Sequence, residues 1–167
     1  MKKIPLTQGQ WAIVDEIDFV ELNKNKWYAR WDKNTKSFSA YRNMKSGGKW
    51  TPISMHRVIM GSYSKGRCVD HINHDTLDNR RCNLRICSNT QNGQNSQKRS
   101  TNCFNRYKGV SVVSGDVNKT NQFRARINVK GKNIWLGYFN SEKDAAVAYN
   151  EAAKKYFGGF ALLNKIE

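Results

Sequence analysis

The residues with the most chemical capacity lie between Val69 and Asn92, in VDHINHDTLDNRRCNLRICSNTQN. Asp70 and His71 stand side by side at the end of a short apolar run. Asn83–Cys87, NLRIC, reads as a second strand, and Ser88 is placed to cap a short helix that carries Asn92. A strand, a polar loop, a strand and a helix would bring Asp70, His71 and Asn92 to one place. Asp70 and Asn92 offer oxygen ligands, which suit a hard divalent cation such as magnesium or manganese. His71, with an ordinary pKa of about 6.5, can take a proton from water near neutral pH. A base that makes the nucleophile and a metal that stabilises a crowded phosphate are enough for phosphodiester hydrolysis. An Asp–His pair alone is more often structural, so the residue types leave both readings open.

The elements around this segment must hold it and supply its partner. The chain has 167 residues, enough for one ordinary domain or two to three small ones. Lys plus Arg total 29 against 13 Asp plus Glu, a net charge of +16. Such a surplus implies a polyanion, nucleic acid before an anionic membrane surface. It is spread over the chain, not gathered in a tail. The stretch between Asp78 and Asp116 holds no carboxylate, and within it Gln91–Asn105 is almost purely polar. This reads as a linker that can follow a phosphate backbone without repulsion. No apolar run approaches the length of a membrane span, and MKKIPLTQGQ lacks the apolar stretch of a secretory signal. Cys68, Cys82, Cys87 and Cys103 are too few and too scattered for a disulfide scaffold, so a reducing cytoplasm is expected. Without a C-x2-C pair a zinc site has weak support.

The first 50 residues read as strands. They include Lys26–Trp31, with Trp27, Ala29 and Trp31 on one side, then Ser37–Arg42 and Lys49–Met55, the last two separated by the turn Ser46-Gly47-Gly48. Trp27, Trp31 and Trp50 are expected in the core or on a sheet face, and HRVIMG from His56 as a short helix. At the other end, Gly109–Val113, Phe123–Val129 and Asn133–Phe139 read as three strands, with Lys130-Gly131 as the tight turn. Phe123, Ala125, Ile127 and Val129 alternate with Arg124, Arg126, Asn128 and Lys130, one set for a core and one for solvent. A helix is predicted from Ser141, with Asp144 completing a capping box, Ala145, Ala148, Tyr149, Ala152 and Tyr156 as its apolar stripe, and Gly158-Gly159 as its stop. A sheet buried on one face by this helix leaves a free basic face suited to a DNA groove.

From about His56 to Asn95 the string D-H, N-x-R-x-N-L-R and N resembles the HNH endonuclease family. It is similar to the ββα-metal motif of phage and intron-borne homing endonucleases in which the last His is replaced by Asn. The resemblance implies that Asp70 and Asn92 hold one divalent cation, magnesium before manganese, with no structural zinc. His71 would be the general base, and Asn83 would hold the loop and orient His71. Arg85 would touch the scissile phosphate. His74 reads as a loop surface residue, His56 as packed or backbone-bonded, Asp75 and Asn79 as turn formers, and Cys82 and Cys87 as small core fillers. From Tyr107 to Asn164, YKGV, FRARI, IWLGYF, SEKDAAVAYNEAA and ALLN resemble the plant APETALA/ethylene-response-factor DNA-binding domain. Its contact positions would fall on Lys108, Gly109, Ser111, Val113, Arg126, Asn128, Asn133, Trp135 and Tyr138, with Arg124 and Lys132 as added phosphate contacts. Ser111, Val113, Asn128 and Asn133 stand where the plant family has several arginines, so its target does not carry over.

The expectation is therefore an α+β chain in four parts: a β-rich segment over 1–55, a ββα-metal core over 56–95, a basic polar linker over 96–106, and a three-stranded antiparallel sheet packed on one helix over 107–167. Its activity would be site-specific nicking of double-stranded DNA by a monomer, without an organic cofactor or a membrane. The resemblance implies a phage gene acting in a bacterial host cell. The rival reading is a repressor-like DNA-binding protein with an inactive nuclease fold, and a third is a non-specific nuclease.

Overall fold

Lys2–Pro5 and Trp11–Val14 pair as an antiparallel hairpin, β1 and β2, in which Ile4 faces Ala12. Ile4, Ala12 and Val14 are buried, as the two-residue alternation of a one-sided strand requires. The computed structural model describes residues 1–61, 66–96, 106–113 and 122–166. The chain forms two compact units, Met1–Asn89 and Thr90–Glu167. Among the described residues no helix is long and apolar enough to cross a membrane.

In the first unit β2 leads into a helix, α1 (Glu16–Asn23), where only strands were expected. The helix escapes a pattern search because Leu22 is its one buried residue, while Ile17 and Val20 are exposed. Its carbonyl at Leu22 accepts the Trp27 indole N–H at 2.8 Å, which fixes Trp27 in the core. Three strands follow: β3 (Tyr28–Asp32), β4 (Ser37–Ser46) and β5 (Lys49–Ser54), in the order β3-β4-β5. Trp31 and Trp50 lie on this sheet but remain exposed. Helix α2 (Met55–Met60) starts directly after β5 and covers the predicted HRVIMG. A second hairpin pairs β6 (Arg67–His71) with β7 (Leu84–Ser88). Ile4, Val14, Leu22, Trp27, Met55, Ile59, Val69 and Leu84 form one core, so the N-terminal hairpin, α2 and the second hairpin share their burial. Cys87 is buried, whereas Cys82, also expected as a core filler, is exposed.

The second unit begins on α3 (Asn89–Asn95), which carries Asn92. Its sheet has the order β10-β9-β8, from β8 (Val110–Val113), β9 (Gln122–Val129) and β10 (Lys132–Phe139). Lys130 and Gly131, both with positive φ, close the β9–β10 turn as expected. Helix α4 (Glu142–Phe157) packs on one face of the sheet. Ser141 caps it by accepting the Asp144 N–H at 3.0 Å, and the Asp144 carboxylate accepts the Ser141 hydroxyl. The buried stripe is Ala145, Ala146, Tyr149, Ala152, Ala153 and Phe157. Phe157 therefore takes the place expected for Tyr156, which is exposed, and burying such a ring is worth about 2 kcal/mol. Within the linker expected over 96–106, residues 97–105 lie outside the described residues.

Candidate active site and outer sheet face

Asp70 and His71 end β6, opposite Arg85 and Leu84 of β7. Both are buried, at 7% and 6% exposed. Two guanidinium N–H groups of Arg85 converge on one carboxylate oxygen, Oδ2 of Asp70, at 2.9 and 2.8 Å. The structure sets Arg85 on Asp70, because β-pairing makes the two residues cross-strand neighbours; its expected contact with a substrate phosphate is a separate matter from this pairing.

The loop between the strands is held by its own polar groups. Asn83, at the end of a single 3-10 turn, accepts the Asn73 N–H at 3.0 Å and donates to the Asp78 carbonyl at 2.7 Å. The Asp78 carboxylate accepts from Asn73 and, in a two-pronged pair at 2.7 Å each, from Arg80. Those donors hold the Asp78 carboxyl below its ordinary pKa, the Arg80 hydrogen bond foremost. Asp75 caps a tight turn by accepting the Leu77 N–H, as a turn former should. The loop is also tied to distant strands. Ile13 donates to the Leu77 carbonyl at 2.8 Å, Asn79 donates to the Ile13 carbonyl at 2.7 Å, and the Thr76 hydroxyl donates to the Phe38 carbonyl.

The His71 ring meets Asn79, which sequence reasoning assigned to turn formation only. Oδ1 of Asn79 lies 3.4 Å from Nε2 of His71. The amide nitrogen of Asn79 is turned the other way, donating to the carbonyls of Leu77 at 3.1 Å and Thr76 at 3.5 Å. With the nitrogen so engaged, the oxygen faces the ring, and Nε2 must carry the proton it shares. The lone pair then sits on Nδ1. Asn83 holds the loop, as expected, and Asn79 supplies the hydrogen bond to the ring. No signal in an Asn among loop polar residues separates these two tasks before the chain is folded.

His56 packs edge-on against His71 with ring centroids 5.1 Å apart, and its Nε2 lies 3.0 Å from the Ser54 hydroxyl. Burial lowers the His71 pKa, although Asn79, Asp70, Asp75 and Asp78 pull it up. Burial, with His71 and Arg57 nearby, pushes His56 down to about 3. Both imidazoles are thus neutral near pH 7, the state a base needs. His74 takes a left-handed backbone at φ 66 in the loop.

The donor chemistry fits a hard cation better than zinc. Asp70 offers a buried carboxylate and Asn92, exposed on α3, an amide oxygen. Among the described residues no group of three or more His, Cys, Asp and Glu side chains gathers as a metal cage.

In the second unit the residues expected on DNA divide into two sets. Arg126, Asn128, Lys132, Asn133, Trp135 and Tyr138 are exposed, and Ser111, Val113 and Arg124 are half-buried. Arg124 donates to the Ser111 hydroxyl at 3.2 Å, and Asn128 donates to Asn133 at 3.1 Å. The β9–β10 register slips between Trp135 and Gly137, which makes Leu136 an extra residue. The slip puts Trp135 and Tyr138, three positions apart, on one face, where their rings meet edge to face at 4.5 Å. Lys108 and Gly109, also expected on DNA, make contacts within the fold. The Lys108 ammonium donates to the carbonyls of Gln94 and Ser96 at 2.8 Å each, and burial lowers its pKa. Gly109, at φ 77, lies under the Tyr149 ring; a Cβ there would sit 2.0 Å from a ring carbon. Sequence reasoning also missed Asn164, which donates to the Lys108 carbonyl and accepts its N–H while bonding Asn150 of α4.

Residues 55–94 match the family model described as HNH endonuclease. Over 165 residues the chain is 31% identical to an HNH endonuclease of Acanthamoeba polyphaga mimivirus, covering 96% of this chain and 78% of the relative. No solved structure matches.

Proposed function

The chain belongs to the HNH endonuclease family, and from that premise we propose that it is a site-specific DNA endonuclease that nicks one strand per binding event as a monomer. The observation that carries the reading is the buried, neutral His71, whose Nε2 is held by Asn79 so that Nδ1 keeps the lone pair. Nδ1 accepts a proton from water as the water oxygen attacks the scissile phosphorus. Asn83 and Asp78 keep the loop, and hence Asn79, in place while this happens. A divalent cation, magnesium before manganese, would be held by Asp70 and Asn92. When bound it supplies positive charge for the crowded phosphate and the leaving oxygen. Arg85 orients the Asp70 carboxylate from across the strand pair.

The outer face of the second unit's sheet is the proposed reader. Arg124, Arg126 and Lys132 supply phosphate or base donors there, Ser111, Asn128 and Asn133 polar edges, and Trp135 and Tyr138 flat surfaces for sugar or base. The resemblance of Tyr107–Asn164 to the APETALA/ethylene-response-factor domain supports this use. Lys108 and Gly109 act in it as scaffold.

The test is the conversion of supercoiled plasmid carrying candidate target sequences to open circle in magnesium, for wild type and His71→Ala. Discrete nicked product from wild type alone supports the reading. Equal product from both removes His71 from the chemistry. Tight sequence-specific binding with no cutting by wild type, in magnesium or manganese, would replace the nuclease with a DNA-binding protein.

A further inference from the structure

The β4–β5 ribbon extends farther than the core requires. From Asn43 to Pro52 every residue is exposed, so both faces of this two-stranded segment meet solvent. Its ladder pairs Asn43 with Pro52, Met44 with Thr51, Lys45 with Trp50 and Ser46 with Lys49, closed by Gly47-Gly48 at positive φ. An isolated ribbon gains little stability from its own pairing. Its large apolar side chains do not serve the core either, since Trp50 is 68% and Met44 37% exposed.

Charge says what the ribbon fits. Between Lys24 and Arg57 nine lysines and arginines stand against one carboxylate, Asp32, and the ribbon itself has none. Strand alternation sends Lys45 and Lys49 from opposite faces of the ribbon, with Trp50 sharing the face of Lys45. At the ribbon's base lies a cleft of about 450 Å³ lined by Arg30, Tyr41, Thr51, Pro52, His56 and Arg57. The Arg30 guanidinium lies 5.1 Å over the Tyr41 ring there. His56 joins this cleft to His71, ring against ring. A row of cations and aromatic faces therefore runs from the ribbon tip to the proposed general base, all within the first unit.

We propose that the ribbon Asn43–Pro52 inserts into the major groove of duplex DNA beside the scissile phosphate. Lys45 and Lys49 bind phosphates of the two groove walls, and Trp50 lies against the bases. The major groove, about 12 Å wide, admits a two-stranded ribbon. The DNA contact stands on the ribbon's own charge and exposure; its position relative to the cut rests on the nuclease reading above. Five residues separate Ser54, at the base, from Lys49, at the tip, a reach of about 17 Å at about 3.4 Å per residue. At about 3.4 Å per base pair the tip lies about five base pairs from the cut.

The test uses the full chain, with Lys45→Ala/Lys49→Ala and Trp50→Ala as variants. All eight residues of the ribbon ladder are solvent-exposed, and circular dichroism melts check that the fold is kept. Binding to a random-sequence duplex in EDTA is followed by fluorescence anisotropy over a range of salt concentrations. The double lysine variant is expected to flatten the log-log salt slope by about 1.8, since each phosphate contact contributes about 0.9. Trp50→Ala is expected to weaken binding about tenfold. A salt slope changed by less than about 0.3 overturns the proposal, as does a wild type that fails to bind the duplex. The two readings fail separately. A slope that flattens in a chain unable to nick keeps the ribbon and loses the nuclease, whereas magnesium-dependent nicking abolished by His71→Ala, with an unchanged slope, loses the ribbon alone. On a nicked target, guanine N7 protection about five base pairs from the cut fixes the ribbon's place, and none within one helical turn overturns it.

Discussion

Replacing Asn79 with Ala tests whether the base is held in one tautomer. Asn79 is 1% exposed, and its amide bridges the His71 ring and two loop carbonyls. The substitution removes the ring's hydrogen bond, worth about 1 kcal/mol in a buried neutral pair. The Leu77 carbonyl keeps the Ile13 N–H, and the Asn79 backbone still donates to Ile13, so the loop stays tied. A stability loss of about 1–3 kcal/mol is expected, which is tolerable for a domain. The catalytic loss should be larger in proportion. A ring free to rotate, with its proton shared between two nitrogens, presents Nδ1 to the water for only part of the time. Groups that orient a reacting His are worth about 10–100-fold, or about 1.4–2.7 kcal/mol in the barrier. Single-turnover nicking should show that fall in rate, while the DNA concentration for half-maximal rate stays put, because Asn79 does not reach the surface. A folded Asn79→Ala variant whose rate lies within about twofold of wild type would refute the reasoning.

Gly109→Ala should cost about 2–5 kcal/mol in urea denaturation, from the positive φ and from the overlap with Tyr149, and a loss below about 1 kcal/mol would count against the packing described. Acidification should destabilise the first unit through His56. Its pKa is about 3 in the fold against 6.5 outside, so the unfolded chain binds the proton that the fold refuses. That contribution is whole above pH 6.5 and is lost as pH falls toward 3, by at most about 5 kcal/mol. His71 and Arg57 face His56, and Asp78, itself lowered, adds a loss below its ordinary pKa. His56→Gln should flatten the fall between pH 6 and 4 in denaturant titrations; an unchanged profile assigns it to other groups. Asn83→Ala, by releasing Asn73 and the Asp78 carbonyl together, should lower the melting temperature and the nicking rate at once, unlike Asn79→Ala.

The parts of the fold legible in the sequence were those where one period ran unbroken. Phe123–Val129 alternates cleanly and lies in the strand Gln122–Val129; Ser141 with Asp144 starts a helix where it should. The pattern failed where packing is one-sided or shifted. In α1, Leu22 alone is buried, so there is no stripe to find. In α4 the helix turns Phe157, not Tyr156, onto the sheet, a choice of one residue that a stripe of alanines does not settle. At the site, Asp70 and His71 were legible from their place at the end of a short strand and Asn83 through the family resemblance, and the structure sets Asn83 next to Leu84, the strand partner of His71, in the first unit. Asn79 was not, because an Asn in a polar loop serves turns far more often than rings. The internal contacts of Lys108 were not legible for a related reason: a lysine beside expected contact residues says nothing of the Gln94 and Ser96 carbonyls that its ammonium meets.

The parallel bridge between Ile13 and Asp78 decides how this nuclease could be cut and recombined. The loop between β6 and β7 is roofed by a strand some sixty positions earlier in the chain, through two backbone hydrogen bonds that no side-chain change short of proline can remove. A graft that transplanted only the motif matching the family model would leave that loop's outer edge unpaired. The smallest portable unit that keeps this loop is the stretch from Met1 to Asn89, to which a cutting module must add the proposed ligand Asn92, and chimeras joined within it should lose the order of the loop before they lose the hairpin beneath it.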